Sequence, residues 1–565
     1  MVTAVTAALI GELADELAGI LLRNDPFWAS AQGMREYAGD VPDLSPQARQ
    51  VWRDQVVDIA VRCDQQELSN PEAGSQILLE AVRDKAVREL AAADSRVEEF
   101  SVTTFPLSGP SAMLLVASRT LIDDAGSAAA YLSRCRRLPV YLDQSTAMLR
   151  DAARDGLLPV APLVADAIRQ LREHMAHPER DPMLAHRPPE GWAGAAAWQD
   201  EVERVIRDDV RPAIGRYIDV LTELLPASRP AERAGLLHMP GGVAAYACAV
   251  RNGTTLPMDP DEIHRIGLSA LAEIEEHIAE LGGRAVGSHD IDDIMARLRN
   301  EVSRAGADGG DAMTRAAQAV ARAQERVTEM FHAPLPAQCV IEPMPPHLAA
   351  FGAPPFYSPP ARDGSQPGTY LFNSAQPGQA GSWALEATAF HEAVPGHHVQ
   401  FSRLQLLPEL PLLLSAFYVV PHGEGWGLYA ERLADELGLY SDDIQRLGML
   451  ASTAWRAVRL VVDSGLHARG WSRGRAREFA FAHSPMPEAF IAAEIDRYIA
   501  LPGQALGYYI GQQEILRLRE RARARLGAAY DIRDFHSAVL DHGSLPLTLL
   551  GKVVENWASS VAAAV

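Results

Sequence analysis

The chain has little of what would place a protein in a membrane, in an oxidising compartment or on nucleic acid. Only 4 of its 565 residues are cysteines. They are widely spaced without a CxxC pair, which argues against a disulfide framework or a cysteine zinc site and favours a reducing cytoplasm. No apolar run reaches the roughly eighteen residues of a membrane span. The formal net charge of −21 argues against nucleic acid or anionic membranes as partners. We therefore expect a soluble, cytoplasmic protein.

The remaining composition is that of a large globular protein with a helical fold. Hydrophobic residues make up 48% of the chain, and along most of it they recur at the three- and four-residue spacing of a helix face. The first residues, MVTAVTAALIGELADELAGILL, lack the basic start of a signal peptide and carry Glu12, Asp15 and Glu16 among apolar residues. They predict an amphipathic first helix, and the whole pattern predicts a mainly α fold.

The helical pattern is interrupted from about residue 335 to residue 375. This stretch is rich in proline, glycine and aromatic residues, and its three extended pieces, QCVIEPM, PPFYSPP and GTYLFNS, predict a small β-ribbon. We expect an N-terminal helical region over residues 1–235 and a core over residues 236–565. The core holds the candidate metal site at 391–431 and substrate-binding helices after it, and we expect one continuous structural unit.

Residues 390–400, FHEAVPGHHVQ, concentrate metal-binding side chains. They are His391, Glu392, His397 and His398. In an HExxH helix two histidines one turn apart bind zinc and the glutamate acts as general base. Here the fourth residue after His391 is Pro395, and the next imidazoles follow at six and seven, where an ideal helix would not share one metal with His391. Pro395 and Gly396 predict a distortion that brings His397, or alternatively His398, to the second ligand position.

A second motif, GEGWGLYAE at residues 423–431, carries two glutamates seven residues apart, which face the same side of a helix. It resembles the NEGFxxYxE segment of gluzincin aminopeptidases. The resemblance implies that Glu424 is the third zinc ligand, which leaves one coordination position for water, and that Glu431 orients a ligand imidazole. The alternatives are a solvated helix face for Glu424, a structural carboxylate for Glu431, and a metal-free descendant for the whole site.

Five sequence blocks together resemble one family of bacterial proteins. The blocks are HEAVPGHH, EGWGLYAE, RAVRLVVDSGLH, RYIALPGQALGYYIG and DFHSAVLDHGSLPL. In this order they are similar to the domain of unknown function 885 family, and the similarity is dense from about Met239 onward. It implies a mostly helical, two-lobed, clefted fold akin to angiotensin-converting enzyme and the oligoendopeptidases. It also implies a gluzincin-like metallopeptidase with one zinc ion per chain.

The same resemblance suggests residues that contact the substrate. Tyr508 and Tyr509 are similar to the tyrosine pairs that oligoendopeptidases use to stabilise an oxyanion, and we favour Tyr508 as the donor. In gluzincins an edge strand binds the substrate backbone, which would be the role of Tyr370 to Ser374, including Asn373. The alternative for this strand is a connection without substrate contact.

The fourth and third blocks add charged candidates. Arg497, with Tyr498 beside it, could clamp a substrate carboxylate with its two-pronged guanidinium. Four more polar residues share one helical stripe: Arg456, Arg459, Asp463 and His467. We interpret Arg459 and Asp463 as a structural ion network. Arg456 and His467 could recognise a substrate carboxylate, support the zinc ligands or belong to the same structural ion network.

These residues predict a zinc-dependent hydrolase of the peptide bonds of short peptides. Zinc would activate a water molecule, and Glu392 would take its proton and pass it to the leaving amine. One alternative is a metal-dependent hydrolase of an amide or another C–N bond in a specialised small metabolite. Another is a catalytically inactive protein that binds a metal or a peptide, although an intact Glu392 speaks against it.

Overall fold

The computed structural model describes residues 2–564 except 67–72, 106–109, 121, 189–190, 305–308, 333–337, 345–354, 361–366, 374–381 and 408–409. It is mainly helical, as the sequence predicts. The α-helices before residue 335 are α1 (Val2–Asn24), α2 (Pro26–Ala31), α3 (Pro46–Asp64), α4 (Ala73–Ser95), α5 (Val97–Phe100), α6 (Ser111–Arg119), α7 (Ala125–Arg154), α8 (Ala161–Ala176), α9 (Ala195–Val205), α10 (Arg211–Leu224), α11 (Gly242–Thr254), α12 (Pro260–Ala285), α13 (Ile291–Arg304), α14 (Gly309–Glu325) and α15 (Val327–Met330).

Helices also form most of the chain beyond the predicted β-ribbon. They are α16 (Leu385–Glu392), α17 (His397–Leu404), α18 (Leu412–Ala416), α19 (Val420–Glu436), α20 (Asp443–His467), α21 (Arg473–Ala482), α22 (Glu488–Ala500), α23 (Gly507–Leu526), α24 (Ile532–Leu540) and α25 (Leu547–Ala564). Helix α20 is buried along most of its length and lies against α12. Among the described helices, none combines the length and the apolar composition that crossing a membrane requires.

The first helix is amphipathic, as its sequence predicts. Its apolar side chains, such as Ile10, Leu13 and Leu17, are fully buried. They form a separate hydrophobic cluster with residues of α3 and α4 and with Leu413 of the core region. This cluster therefore fixes α4 next to the segment that leads into α19.

Buried apolar residues connect the N-terminal region to the core. The largest hydrophobic cluster is built mainly from residues after position 233, but it also contains Phe100, Ala152 and Leu163. A second cluster lies within the N-terminal region and includes residues of α7, α9 and α10. Because residues on both sides of position 235 share the largest cluster, burial of apolar surface holds the two regions together.

The predicted β-ribbon is a three-stranded sheet with strands β1 (Val340–Pro343), β2 (Phe356–Ser358) and β3 (Thr369–Phe372) in the order β1-β3-β2. Strand β1 is parallel to β3 and β2 is antiparallel to it. The predicted edge position of Tyr370 to Ser374 is wrong, because β3 is the middle strand and pairs on both sides. Ser374 itself lies outside the described residues. The strand at the edge next to the metal motif is β2.

Candidate metal centre

The metal motif is divided between two helices. Helix α16 ends at Glu392 and α17 begins at His397, and the intervening Ala393 (φ −106°, ψ −107°) and Gly396 (φ −80°, ψ −129°) leave the helical conformation. A Cβ at Gly396 would lie 1.8 Å from the carbonyl oxygen of His391, so only glycine allows this close approach. The distortion predicted from Pro395 and Gly396 is thus a complete break in the helix.

This break brings three potential metal ligands together. Ligand atoms of His391, His397 and Glu424 all lie within 4.8 Å of one another. Glu424 Oε2 is 3.4 Å from His391 Nε2 and 3.7 Å from His397 Nε2. The two imidazole rings are nearly perpendicular, at 88°. Two imidazoles and one carboxylate are the ligand set of a catalytic zinc site that keeps a position for water, so these residues fit the metal that the sequence predicts.

His398 has a different environment from His397. Its Nδ1 lies 3.0 Å from the hydroxyl of Tyr357 on β2, and its side chain is fully buried. Consecutive residues of a helix point about 100° apart, so only one of the two histidines can face Glu424. The structure brings His397 to the cluster and places His398 against the sheet.

The electrostatics of the three side chains also suit a cation. Burial opposes a charge on His391, but hydrogen bonds to Glu424 and Glu431 outweigh it and raise the pKa of the imidazole to about 10. Burial also opposes a charge on Glu424, but His391 and His397 outweigh it and hold the pKa of this carboxylate well below its usual range. A buried carboxylate therefore faces two imidazoles, and a bound metal would take the place of the proton between them.

Hydrogen bonds hold each ligand imidazole by its outer nitrogen. Glu431 Oε1 lies 2.9 Å from His391 Nδ1, and Arg456 Nη2 lies 3.5 Å from the same oxygen. His397 Nδ1 lies 3.2 Å from Gln400 Oε1. A donating Nδ1–H leaves the Nε2 lone pair of each ring directed at the cluster. Arg456 thus supports the candidate ligand His391 through Glu431, which is one of the roles that the sequence left open.

Tyr418 is a site residue that the sequence reasoning missed. Its hydroxyl donates to Glu424 Oε1 at 3.1 Å, and its ring stacks on Phe401 with an interplanar angle of 17°. Burial raises the pKa of the Tyr418 phenol well above its usual value, so it remains a hydrogen-bond donor at neutral pH. It precedes α19, outside the glutamate motif, and no spacing rule links it to Glu424.

The candidate base, Glu392, is positioned by the edge strand. Its Oε2 accepts a hydrogen bond of 2.9 Å from the backbone N–H of Tyr357. Burial raises the pKa of Glu392, although the nearby His391 and His397 oppose that effect. A carboxyl group with a raised pKa beside a metal cluster is suited to accept and return a proton.

Glycines let α19 and α23 approach until their backbones touch. A Cβ at Gly425 would lie 2.6 Å from Gly511 Cα, and one at Gly511 would lie 1.9 Å from the carbonyl oxygen of Pro421. This contact places the first turn of α23, with Tyr508, next to the turn of α19 that carries Glu424. The pKa of Tyr508 is raised mainly by burial and next by the negative charge of Glu424.

The remaining predicted substrate residues lie in buried structure. Tyr370 is fully buried, Asn373 is 1% exposed and Tyr509 is 7% exposed. Both ring nitrogens of His467 contact backbone groups, with Nδ1 3.2 Å from Leu236 N and Nε2 3.0 Å from the carbonyl oxygen of Tyr498. These contacts give His467 a packing role. Of the two tyrosines, the structure brings Tyr508 and not Tyr509 to the Glu424 side.

The prediction that Arg497 clamps a substrate carboxylate is wrong. Its Nε and Nη2 are each 2.8 Å from an oxygen of Glu494, so an internal carboxylate fills the fork. The Tyr498 hydroxyl donates to the same glutamate at 2.7 Å. Asp463 accepts hydrogen bonds from neutral donors, the Tyr246 hydroxyl at 2.7 Å and Gly503 N at 3.1 Å. Arg459 instead pairs with Glu494 at 3.1 Å, so the predicted ion network includes Arg459 but not Asp463.

These features define a mainly helical protein with a buried cluster of two histidines and a glutamate. The chain belongs to the family described as bacterial protein of unknown function, DUF885, whose model matches residues 26–554. The family resemblance seen in the sequence blocks is thereby confirmed. No curated protein sequence matches the chain.

Two solved structures share this fold. One is the crystal structure of a predicted lipoprotein from Colwellia psychrerythraea, with 25% sequence identity, a TM-score of 0.88, and coverage of 98% of this chain and 99% of that chain. The other is a predicted lipoprotein of unknown function from Shewanella oneidensis, with 16% identity, a TM-score of 0.74, and coverage of 96% and 99%. In each comparison the similarity covers at least 96% of this chain and 99% of the other chain.

Gly427 offers a test of how tightly His391 is held. A Cβ at this position would lie 2.5 Å from His391 Cε1, so Gly427→Ala must displace the imidazole. We expect zinc affinity to fall by about 10–100-fold, as when a supporting residue of a ligand is lost, measured by titration with a competing chelator. Gly215→Ala in α10, where an added Cβ would meet no atom within 4 Å outside the adjacent backbone of its own helix, is the matched control and should leave the affinity unchanged. Equal affinities in the two variants would contradict the placement of His391.

Proposed function

We propose that this protein is a zinc-dependent hydrolase that cleaves peptide bonds of short peptides. The observation that carries the proposal is the convergence of His391, His397 and Glu424 beside Glu392, since a binding protein needs no carboxylate next to the open position. Zinc, when bound, would polarise the scissile carbonyl and lower the pKa of a water molecule. Glu392 would accept the proton of the attacking water and deliver it to the departing amine.

We assign stabilisation of the transition state to one phenol group near Glu424, that of Tyr508. Negative charge develops on the carbonyl oxygen during attack and needs fixed donors. Tyr508 lies on the turn of α23 that faces Glu424 and is half-buried, so we assign its hydroxyl the role of this donor. Tyr418 holds the outer oxygen of Glu424 and keeps that carboxylate oriented. The two-lobed cleft that the family resemblance implies is part of this proposal.

The test combines metal analysis with a hydrolysis panel. The purified protein is analysed for zinc, then assayed with dipeptides and longer oligopeptides before and after chelation. We expect stoichiometric zinc and cleavage that chelation abolishes and added zinc restores. If the protein binds zinc but cleaves no peptide, the hydrolase of small amides becomes the favoured function. Absence of binding after zinc is supplied would contradict the metal centre itself.

The cytoplasmic location inferred from the cysteine content stays a prediction. The two solved structures reported above are described as predicted lipoproteins, so a lipid-anchored form of this chain is the alternative location to test. Fractionation of the native host, followed by detection of the protein in cytoplasmic and membrane fractions, decides between the two locations.

A further inference from the structure

A buried cluster of charges lies behind Tyr508. Arg459 and Arg497 share a single carboxylate, Glu494, at distances of 2.8–3.1 Å. Although burial opposes ionisation, the two arginines lower the pKa of Glu494 to about 2. Two guanidinium groups against one carboxylate leave the cluster with a net positive charge.

One guanidinium group of this cluster is incompletely paired. Arg459 is 7% exposed, its Nε contacts the Tyr498 hydroxyl at 2.9 Å and its Nη2 contacts Glu494. Its Nη1 has no hydrogen-bond partner within the described part of the chain. The guanidinium carbon lies 4.3 Å from the ring centroid of Tyr508. Uncompensated buried charge is costly, so an anion near Tyr508 would be stabilised by this cluster.

Gln504 connects the cluster to a cavity. Its side-chain oxygen accepts a hydrogen bond from Arg497 Nη1. This contact fixes the orientation of the amide, and its NH₂ group remains as a donor on the other side. Gln504 also lines a cavity of about 220 Å³. Gln504 therefore connects the cavity to the guanidinium group of Arg497.

The same cavity lies between helix α4 and the segment that precedes α19. Tyr418, which donates to Glu424, forms part of its wall, and Leu414 and Phe417 add apolar surface. Lys85 of α4 also lines the cavity. It pairs with Glu89, and its Nζ lies 5.3 Å from the Phe417 ring centroid. An ammonium group has three N–H donors, so Lys85 can bind an anion in the cavity in addition to Glu89.

We propose that this cavity is the subsite for the free C-terminal carboxylate of a short peptide substrate, with Gln504 and Lys85 as its donors and Arg459 and Arg497 as the charge behind Gln504. The inference rests on the proposed function and makes the protein an exopeptidase that acts from the C-terminus. A volume of about 220 Å³ is below the ~300–1,000 Å³ of sites for drug-sized ligands, so the cavity holds only the end of a peptide.

The experiment measures binding without turnover. Zinc-loaded Glu392→Gln protein is titrated by calorimetry with a tetrapeptide as the free acid and as its C-terminal amide. We expect the acid to bind about tenfold more tightly or better, which is the ratio that hydrogen bonds to a charged group provide. Adding Gln504→Ala or Lys85→Gln should reduce the ratio to about threefold or less. Arg83→Gln, which removes a cation of the same helix that pairs with Asp64, is the matched control and should keep the full ratio.

Each contrary result has a distinct meaning. Equal binding of acid and amide, no binding of either, or an unchanged ratio in both cavity variants overturns the subsite. The proposed function is judged separately, by hydrolysis of the same two peptides with zinc-loaded wild-type protein. Preferential binding of the acid together with no hydrolysis would retain the subsite and reject the peptidase.

Discussion

Replacement of Glu392 by glutamine is expected to reduce kcat for peptide hydrolysis by about 10²–10⁴-fold, the usual contribution of a general acid–base group. The amide keeps the shape of the side chain and can still contact the backbone N–H of Tyr357, which now lies 2.9 Å from the carboxylate. It cannot accept a proton from water. The measurement is kcat and KM on one peptide, together with zinc content.

Measuring kcat together with zinc content distinguishes the loss of a proton acceptor from the loss of the folded metal site. We expect zinc content to remain that of the wild type, because Glu392 is not in the ligand cluster of His391, His397 and Glu424. Glu555→Gln, at a half-exposed position that pairs with Arg521, makes the same chemical change away from the site and should leave kcat unchanged. Full activity in Glu392→Gln would reject the proposed mechanism.

The candidate ligands could be named from the sequence because the helix-breaking residues stand between the histidines of a single motif. Pro395 and Gly396 interrupt a helix that would otherwise separate the histidines, and the close approach of Gly396 to the His391 carbonyl shows why a residue with no Cβ is needed there. The mainly α fold and the three extended pieces were equally accessible, because both depend on the local spacing of apolar residues.

The choice of the second histidine was not accessible from the motif. It depends on the direction in which α17 leaves the break at Ala393 and Gly396, and that direction is set by tertiary contacts. One such contact is the Trp426 indole N–H, which lies 3.1 Å from the carbonyl oxygen of Pro395. A motif names candidates, but the packing of α19 selects His397.

Tertiary packing and one overlooked local pair explain the other differences. Tyr418 reaches Glu424 through the turn before α19, and the order of the sheet places β3 rather than β2 in the middle. Arg497 has the geometry of a carboxylate clamp, but a glutamate three residues earlier fills it. The Tyr418 contact and the strand order depend on which elements meet in space. The Glu494–Arg497 pair, in contrast, has the i, i+3 spacing of helix neighbours, and the sequence prediction overlooked it.

Removal of the second ligand is expected to have the other large effect. His397→Ala deletes one of the three donors, so zinc affinity should fall by more than the ~10–100-fold that loss of a supporting residue costs. His398→Ala should keep the metal, because its imidazole contacts the Tyr357 hydroxyl and not Glu424. Zinc content is measured by elemental analysis after dialysis against metal-free buffer.

Thermal unfolding separates metal loss from misfolding in these two variants. At a zinc concentration 1,000 times Kd, binding stabilises the native state by about 4 kcal/mol, so zinc should raise the Tm of the wild type and of His398→Ala. It should leave the Tm of a folded His397→Ala protein unchanged. His398→Ala should unfold at a lower temperature than the wild type at equal zinc, since it loses a buried hydrogen bond worth about 1–3 kcal/mol. Loss of zinc from His398→Ala with retention in His397→Ala would reverse the ligand assignment.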